Sequence, residues 1–425
     1  MMYNCSRDLD SFFEHENHPW PHSLAENNSM HQGSKADLMD CLEALAPRPE
    51  YTPEVDMKII DGAALMYTLD PSKSNVIVKT FGDFSQLVFL PYVERQLQSV
   101  KRLDFVWDVY KAGSLKSSTR ERRGMGEALR VAASTRLPPN WQTFLRVDSN
   151  KTGLFNYLAS ALKAFHPPEG KVVLTTCQED VISNPESDVS QIAPCAQEEA
   201  DGRMLLHAAH AHGQGHCRIM IQATDTDVVV LAITTANSIQ DCELWIAFGH
   251  GKTFRYISAH AIAAQLGAES SQGLLFLHAI SGCDTVSAFC GIGKKTAWEV
   301  WRASDIFKSL FSRLSQSPSQ ISEDDVKSLE RFVVLLYKRT STLQNVNEAR
   351  KRLFAFGNRQ LENIPPTSSA LLQHVKRAVF QAGHVWGQSL VANASVPSPS
   401  DWGWERIGDA WTPKWQKHPS NVANL

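Results

Sequence analysis

From Val55 onward the chain alternates short apolar runs with longer stretches of helical period. Strands separated by helices in this way build a parallel α/β sheet. The runs at 57–60, 104–107, 171–175, 217–222 and 274–279 are the expected strands. Four of the five lead directly into an acid: Asp61, Asp108, Asp225 and Asp284. Ligands of open parallel sheets bind beyond the carboxyl ends of the strands, so a site is expected at that edge.

The flanks read differently. Residues 1–50 are rich in Asn, His, Ser and acidic residues, with one short helix expected around 36–45, the composition of a flexible leader. Beyond residue 300 the pattern is mostly helical. Ser322 and Asp325 form a loose capping box before a helix at 326–337, and Pro365-Pro366 ends one segment before another starts at 368. The tail from Ser395 carries Trp402, Trp404, Trp411 and Trp415. Aromatic docking onto the domain is expected for it, with a partner-binding tail as the alternative. The expected organisation is a leader (1–50), an α/β domain (51–300), a helical extension (301–394) and a Trp- and Pro-rich tail (395–425).

Composition narrows the function classes. The 425 residues, 43% of them hydrophobic, supply ample core. A net charge of −3 excludes a wholesale basic coat, so nucleic acid would have to meet local patches. Eight cysteines without a CxxC pair, and a polar N-terminus without an apolar signal core, imply a reducing, intracellular compartment. No apolar run approaches the roughly 20 residues that span a bilayer, and no membrane role is expected.

Glu198-Glu199-Ala200-Asp201 opens a helical stretch. Glu199 and Asp201 splay around one edge at a helix start, whereas Glu198 and Asp201 share a face more naturally; spacing leaves the choice open. Asp225 and Asp227 follow an apolar run, and an extended backbone would point both the same way. Two like charges about 4 Å apart repel by roughly 4 kcal/mol near a protein surface, so convergence of several acids calls for cations. Carboxylates without a nearby His or Cys suit Mg²⁺ or Mn²⁺. Two such ions about 4 Å apart activate water and stabilise the leaving oxygen of a phosphodiester.

The order and spacing of IIDGAAL, FVWDVYKAGSLKSSTRERR, Glu-Ala-Asp, Asp-Thr-Asp, Gly-Cys-Asp and GIGKKTA resemble the flap-endonuclease and PIN-like superfamily of structure-specific 5′ nucleases, over roughly residues 55–300. The resemblance implies a PIN-like sheet and a two-metal site held by Asp61, Asp108, Glu199, Asp201, Asp225, Asp227 and Asp284. It makes Gly291-Ile-Gly293-Lys294-Lys295 the opening of a helix-two-turn-helix motif. There the turn, the helix N-terminus and the two lysines would hold a nucleic-acid backbone, with K⁺ in the turn. It also implies that Lys116 and Arg122 contact the reacting phosphate and that Arg120 and Arg123 bind nucleic acid in the same basic segment. Two Mg²⁺ or Mn²⁺ ions, branched or end-containing DNA (or RNA) as the partner, and a nuclear location follow from the same resemblance. The chain departs from the family in the sixty residues before Asp61, in the poorly matched 135–197 segment and in lacking a clear clamp-binding peptide. It is also similar to uncharacterised multicopy animal proteins of the kind associated with mobile elements.

Other motifs lead elsewhere. His207, His210, His212, His216 and Cys217 are zinc-ligating types, but Gly213 and Gly215 interrupt them, so a solvated His-rich helix end is expected. Gly249-His-Gly-Lys-Thr253 lacks the glycine that a phosphate loop needs at Ile246 and reads as a tight turn between strands. Cys283 reads as a buried thiol. Two function classes remain: a metal-dependent nuclease, and a catalytically inactive PIN-like module that binds nucleic acid or protein.

Overall fold

The computed structural model describes residues 12–416 apart from 112, 117–126 and 358. It divides into two compact units: Leu45–Gln265 with Ser389–Ser395, and a second built from the chain up to Ala44, Leu266–Gln388 and the segment from Val396. The chain passes between the units at Ala44–Leu45 and Gln265–Leu266, where the sequence pattern suggests 50 and 300.

The first unit holds a seven-stranded sheet. Its strands are β1 (Met57–Asp61), β2 (Arg102–Val106), β3 (Val172–Cys177), β4 (Asp180–Asn184), β5 (Arg218–Ala223), β6 (Glu243–Phe248) and β7 (Arg255–Ser258). Their order is β4-β3-β2-β1-β5-β6-β7. The inner five run parallel, and β4 and β7 close the two edges antiparallel. The fold is therefore α/β, with a mainly parallel central sheet flanked by helices, as expected. Inner strands buried on both faces need near-continuous apolar runs, which is why four of the expected strands are found within two residues of their places. β4 and β7 are short edge strands with polar positions and carry no such run.

Helices α1 (Gly62–Thr68), α2 (Leu90–Leu97), α3 (Asp148–Ala164), α4 (Ala200–Gly213) and α5 (Thr226–Ala236) belong to this unit. Phe89, Phe105, Trp107, Trp141, Phe144, Leu154 and Phe155 are buried in one core cluster. Along β2, Arg102 and Asp104 alternate with Leu103 and Phe105, so the charged pair and this aromatic cluster take opposite faces. Arg102 forks onto Asp104, Nε to Oδ1 at 2.8 Å and Nη2 to Oδ2 at 2.6 Å. His207 of α4 donates from Nδ1 to Asp104 Oδ2 at 2.7 Å. Buried Arg203 of α4 donates to the carbonyls of Gln178, Glu179 and Asp180 around the β3–β4 turn. Two of the four histidines expected at a solvated helix end are instead inside: His207 has no exposed surface and His210 is buried beside Arg102, while His212 and His216 are half-buried next to exposed residues 213–215. His207 and His210 face the sheet, where the Arg102–Asp104 pair supplies polar partners.

The second unit is mainly helical: α6 (Ala268–Ile280), α7 (Lys294–Arg302), α8 (Asp305–Leu314), α9 (Glu323–Tyr337) and α10 (Ser368–Val379). The apolar run at 274–279, expected as a strand, lies within α6. Every residue from Gly273 to Ile280 is buried there, and a run apolar on all sides carries no period to separate strand from helix. The Ser322 capping box is present, with Ser322 Oγ accepting from Asp325 N at 3.2 Å. Residues 12–44 are not a loose leader: Phe13, Leu24, Leu38, Met39 and Leu42 are buried, and Glu16 accepts from Thr367 N at 2.8 Å. Trp402, Trp404 and Trp415 are buried in this unit, and Arg377 donates to the carbonyls of Gly403 and Lys414. Among the described residues, no helix is long and apolar enough to cross a membrane.

Candidate functional site

The sheet order reverses at β1. The chain runs from β1 outward through β2 and β3, then returns to place β5 on the other side of β1. The crevice beyond the carboxyl ends of β1 and β5 is thus the switch point at which open α/β sheets bind ligands.

Acids gather there through ordinary helix chemistry. Asp61 ends β1 and caps α1, its Oδ1 accepting from Ala64 N at 2.9 Å. Asp108, two residues past β2, accepts from Ala200 N at 3.1 Å and so caps α4 from outside. Val109 N donates to Glu198 O at 2.9 Å, joining the same two segments. Glu199 is the N-cap of α4 and Asp201 lies in its first turn. Asp225 caps α5, accepting from Asp227 N at 3.0 Å, and Asp227 is buried. Carboxylate oxygens of Asp201, Asp225 and Asp227 all lie within 4.8 Å of one another. Asp225 and Asp227 do not converge through an extended backbone, as expected from their spacing, because α5 begins at Thr226; they meet as N-cap and first-turn residue.

Electrostatics marks the cluster as short of positive charge. Burial, then the neighbouring charge of Asp108, pushes the Asp61 carboxyl up to about 7. Burial, then Asp225 and Glu199, raises Asp201 well above the ordinary range. Burial also raises Glu199, although Lys116 Nζ sits 2.8 Å from its Oε1 and opposes the shift. A donor set of carboxylate oxygens alone fits a hard divalent ion such as Mg²⁺ or Mn²⁺.

Lys116 thus stands beside the acids. Glu198 turns to Ser114, whose Oγ donates to its Oε1 at 2.8 Å, so of the two spacing alternatives Asp201 groups with Asp225 and Asp227 while both glutamates hold the segment after β2. Arg120, Arg122 and Arg123 lie outside the described residues.

Asp284 belongs to the second unit. It occupies the turn closed by Cys283 and Val286, with Oδ1 3.2 Å from Lys35 Nζ. A second turn, Ile292 N to Phe289 O, follows before α7, giving helix, two turns and helix in sequence. Gly291 has φ +69°, which favours glycine, and Gly293 is the N-cap of α7. Lys295 is exposed. Lys294, expected on nucleic acid, is instead 1% exposed, with Nζ donating to His278 O at 2.7 Å and Ser281 Oγ at 3.0 Å. Its ammonium ties α7 to the end of α6.

Sequence reasoning missed the Arg102–Asp104–His207 support beneath α4. Its signal was two opposite charges at alternate positions inside a central apolar strand, which on a doubly buried sheet must find each other.

No family model matches the sequence, and no curated protein matches it. Among solved structures the chain is similar to the catalytic core of Rad2 in complex with DNA substrate, at 13% identity over 76% of this chain and 80% of that one, with a TM-score of 0.40. A second Rad2 complex with DNA substrate gives 14% identity, 77% and 96% coverage and a TM-score of 0.36. The T5 D15 protein co-crystallised with metal ions gives 14% identity, 79% and 96% coverage and a TM-score of 0.36. No residue of this chain takes a role from these likenesses.

Proposed function

We propose that the protein is a divalent-metal-dependent, structure-specific nuclease that hydrolyses phosphodiester bonds in DNA, with RNA as the other substrate to be tested. The observation that carries this reading is the convergence of Asp201, Asp225 and Asp227 within 4.8 Å at the switch point of the sheet. Three carboxylates that close repel strongly, and a cation is the simplest group that relieves them. Asp201, Asp225 and Asp227 would hold one Mg²⁺ or Mn²⁺, and Asp61 and Asp108 would serve a second. Such ions supply a nucleophilic water at neutral pH and neutralise charge on the leaving oxygen.

The chain's own groups do the rest. Asp108 and Asp61 use backbone N–H groups of α4 and α1 to fix their carboxylates. Glu199 holds Lys116 beside the acids, where its ammonium is assigned to the reacting phosphate, together with Arg122. The turn at Gly291 and Gly293 and the exposed Lys295 are assigned to the nucleic-acid backbone, with K⁺ in that turn. Asp284 is assigned to metal on its Gly-Cys-Asp sequence, and an Asp284→Asn protein tests it separately. A nuclear location accompanies a DNA substrate.

The decisive assay offers labelled 5′-flap, hairpin and single-stranded DNA and RNA to wild type and to Asp225→Asn, with Mg²⁺, Mn²⁺ or EDTA. Cutting is expected with either metal, to vanish in EDTA and to fall at least about 100-fold in the variant, on the scale of a lost catalytic electrostatic contact. Asp225→Asn cutting as fast as wild type would remove the metal assignment. A folded wild type that binds these substrates without cutting them is a binding module.

A further inference from the structure

We propose that a groove beside the β6–β7 hairpin is a stacking platform for an unpaired nucleotide; this rests on the nuclease reading and extends it to a substrate subsite. Phe248, the last residue of β6, lies opposite Ala223 of β5 on one side and Arg255 of β7 on the other. Ala223 is two residues before Asp225. Arg255 therefore stands at the same edge of the sheet as the acids, two strand spacings or about 10 Å from Ala223.

A cavity of about 260 Å³ opens there, lined in part by Arg48, Glu50, Tyr51, Phe254, Arg255 and Tyr256. Tyr51 is 69% exposed and Phe254 44%. Neither ring is spent on a core, yet the floor around them is fixed. Phe254 meets Tyr256 edge to face with centroids 5.1 Å apart, and Tyr256 packs on the buried cluster of Met220, Trp245 and Ala247. The Arg255 guanidinium lies 4.9 Å above the Phe248 ring and donates to Thr253 O at 3.0 Å.

Exposed aromatic faces flanked by two guanidinium groups against one carboxylate suit single-stranded nucleic acid. Every base offers a π-face to stack, and arginines meet the phosphates on either side. A paired duplex keeps its base faces covered, so the platform selects unpaired nucleotides next to the cutting site.

The test measures fluorescence anisotropy of a short fluorescein-labelled oligodeoxythymidylate on the full chain carrying Asp225→Asn, which keeps the probe intact. Tyr51→Ala and Phe254→Ala are each expected to weaken binding by about 5- to 150-fold, with Tyr51→Trp restoring it. Both side chains are exposed, so each variant should melt with the parent chain. Unchanged binding in both alanine variants overturns the platform, as does failure of the probe to bind at all, or retention of a proline-rich peptide in its place. Wild-type cleavage separates the two readings. Binding that depends on Tyr51 and Phe254 in a chain that cuts nothing keeps the platform and removes the nuclease. Cutting with both alanine variants still binding fully does the reverse.

Discussion

Asp104 has no exposed surface, yet it carries a charge in the middle of a central strand. Burial alone would raise its pKa; the Arg102 guanidinium outweighs burial and holds the carboxyl well below the usual range. Burial lowers His207, so its imidazole stays neutral and donates one N–H to Asp104. The pair fixes α4 to β2, and α4 carries Glu199 and Asp201 at its N-terminus. Asp104→Ala leaves the Arg102 charge buried without its partner, for which a loss of about 3–5 kcal/mol is expected. Urea denaturation measures it, and a loss under about 1 kcal/mol would show that water, together with Gln214, whose Oε1 already accepts from Arg102 Nη1 at 2.7 Å, compensates for the lost carboxylate.

At the scale of elements, the β1–α1 junction depends on a missing side chain. A Cβ on Gly62 would fall 2.1 Å from Trp107 Cε3, and Trp107 is stacked on Phe155 and bound through Nε1 to Thr175 Oγ1 at 2.9 Å. Gly62→Ala must displace that ring or the first turn of α1, which seats Asp61. A destabilisation of about 1–3 kcal/mol is expected from overpacking, read from the denaturation midpoint; a neutral result would mean that Trp107 has room to turn. Such a constraint is invisible in sequence, because it joins residues that follow two different strands. Four of the five inner strands, and the acids at the ends of β1, β2 and β5, were legible, since parallel strands buried on both faces must be apolar and must end at the polar edge; β6, equally apolar, was not among the expected strands. Helix α6 was not legible as a helix, being apolar on all sides. The role of Lys294 was hidden too: a lysine after Gly-x-Gly looks the same in sequence whether its ammonium faces solvent or the carbonyl of His278.

For the whole molecule, the gathered acids set how stability follows pH. Asp61 is pushed up to about 7, and Asp201 and Glu199 are also raised. Such carboxyls keep protons in the folded chain that the unfolded chain releases near pH 4. Their contribution is complete below about pH 4 and is lost as pH rises through about 7. In EDTA the melting temperature is expected to fall from about pH 5 to about pH 8, and saturating Mg²⁺ to restore much of it at the higher pH; calorimetry without any Mg²⁺ effect there would count against a cation among these acids. The chain path has a consequence of its own. Leu38, Met39 and Leu42, on the helix Ala36–Glu43, are covered within a unit whose other parts begin at Leu266. During synthesis at about 5–20 residues per second, that apolar helix face leaves the ribosome roughly 10–45 s before its partners exist. Nascent chains of this protein should therefore be clients of a holding chaperone until translation passes α6.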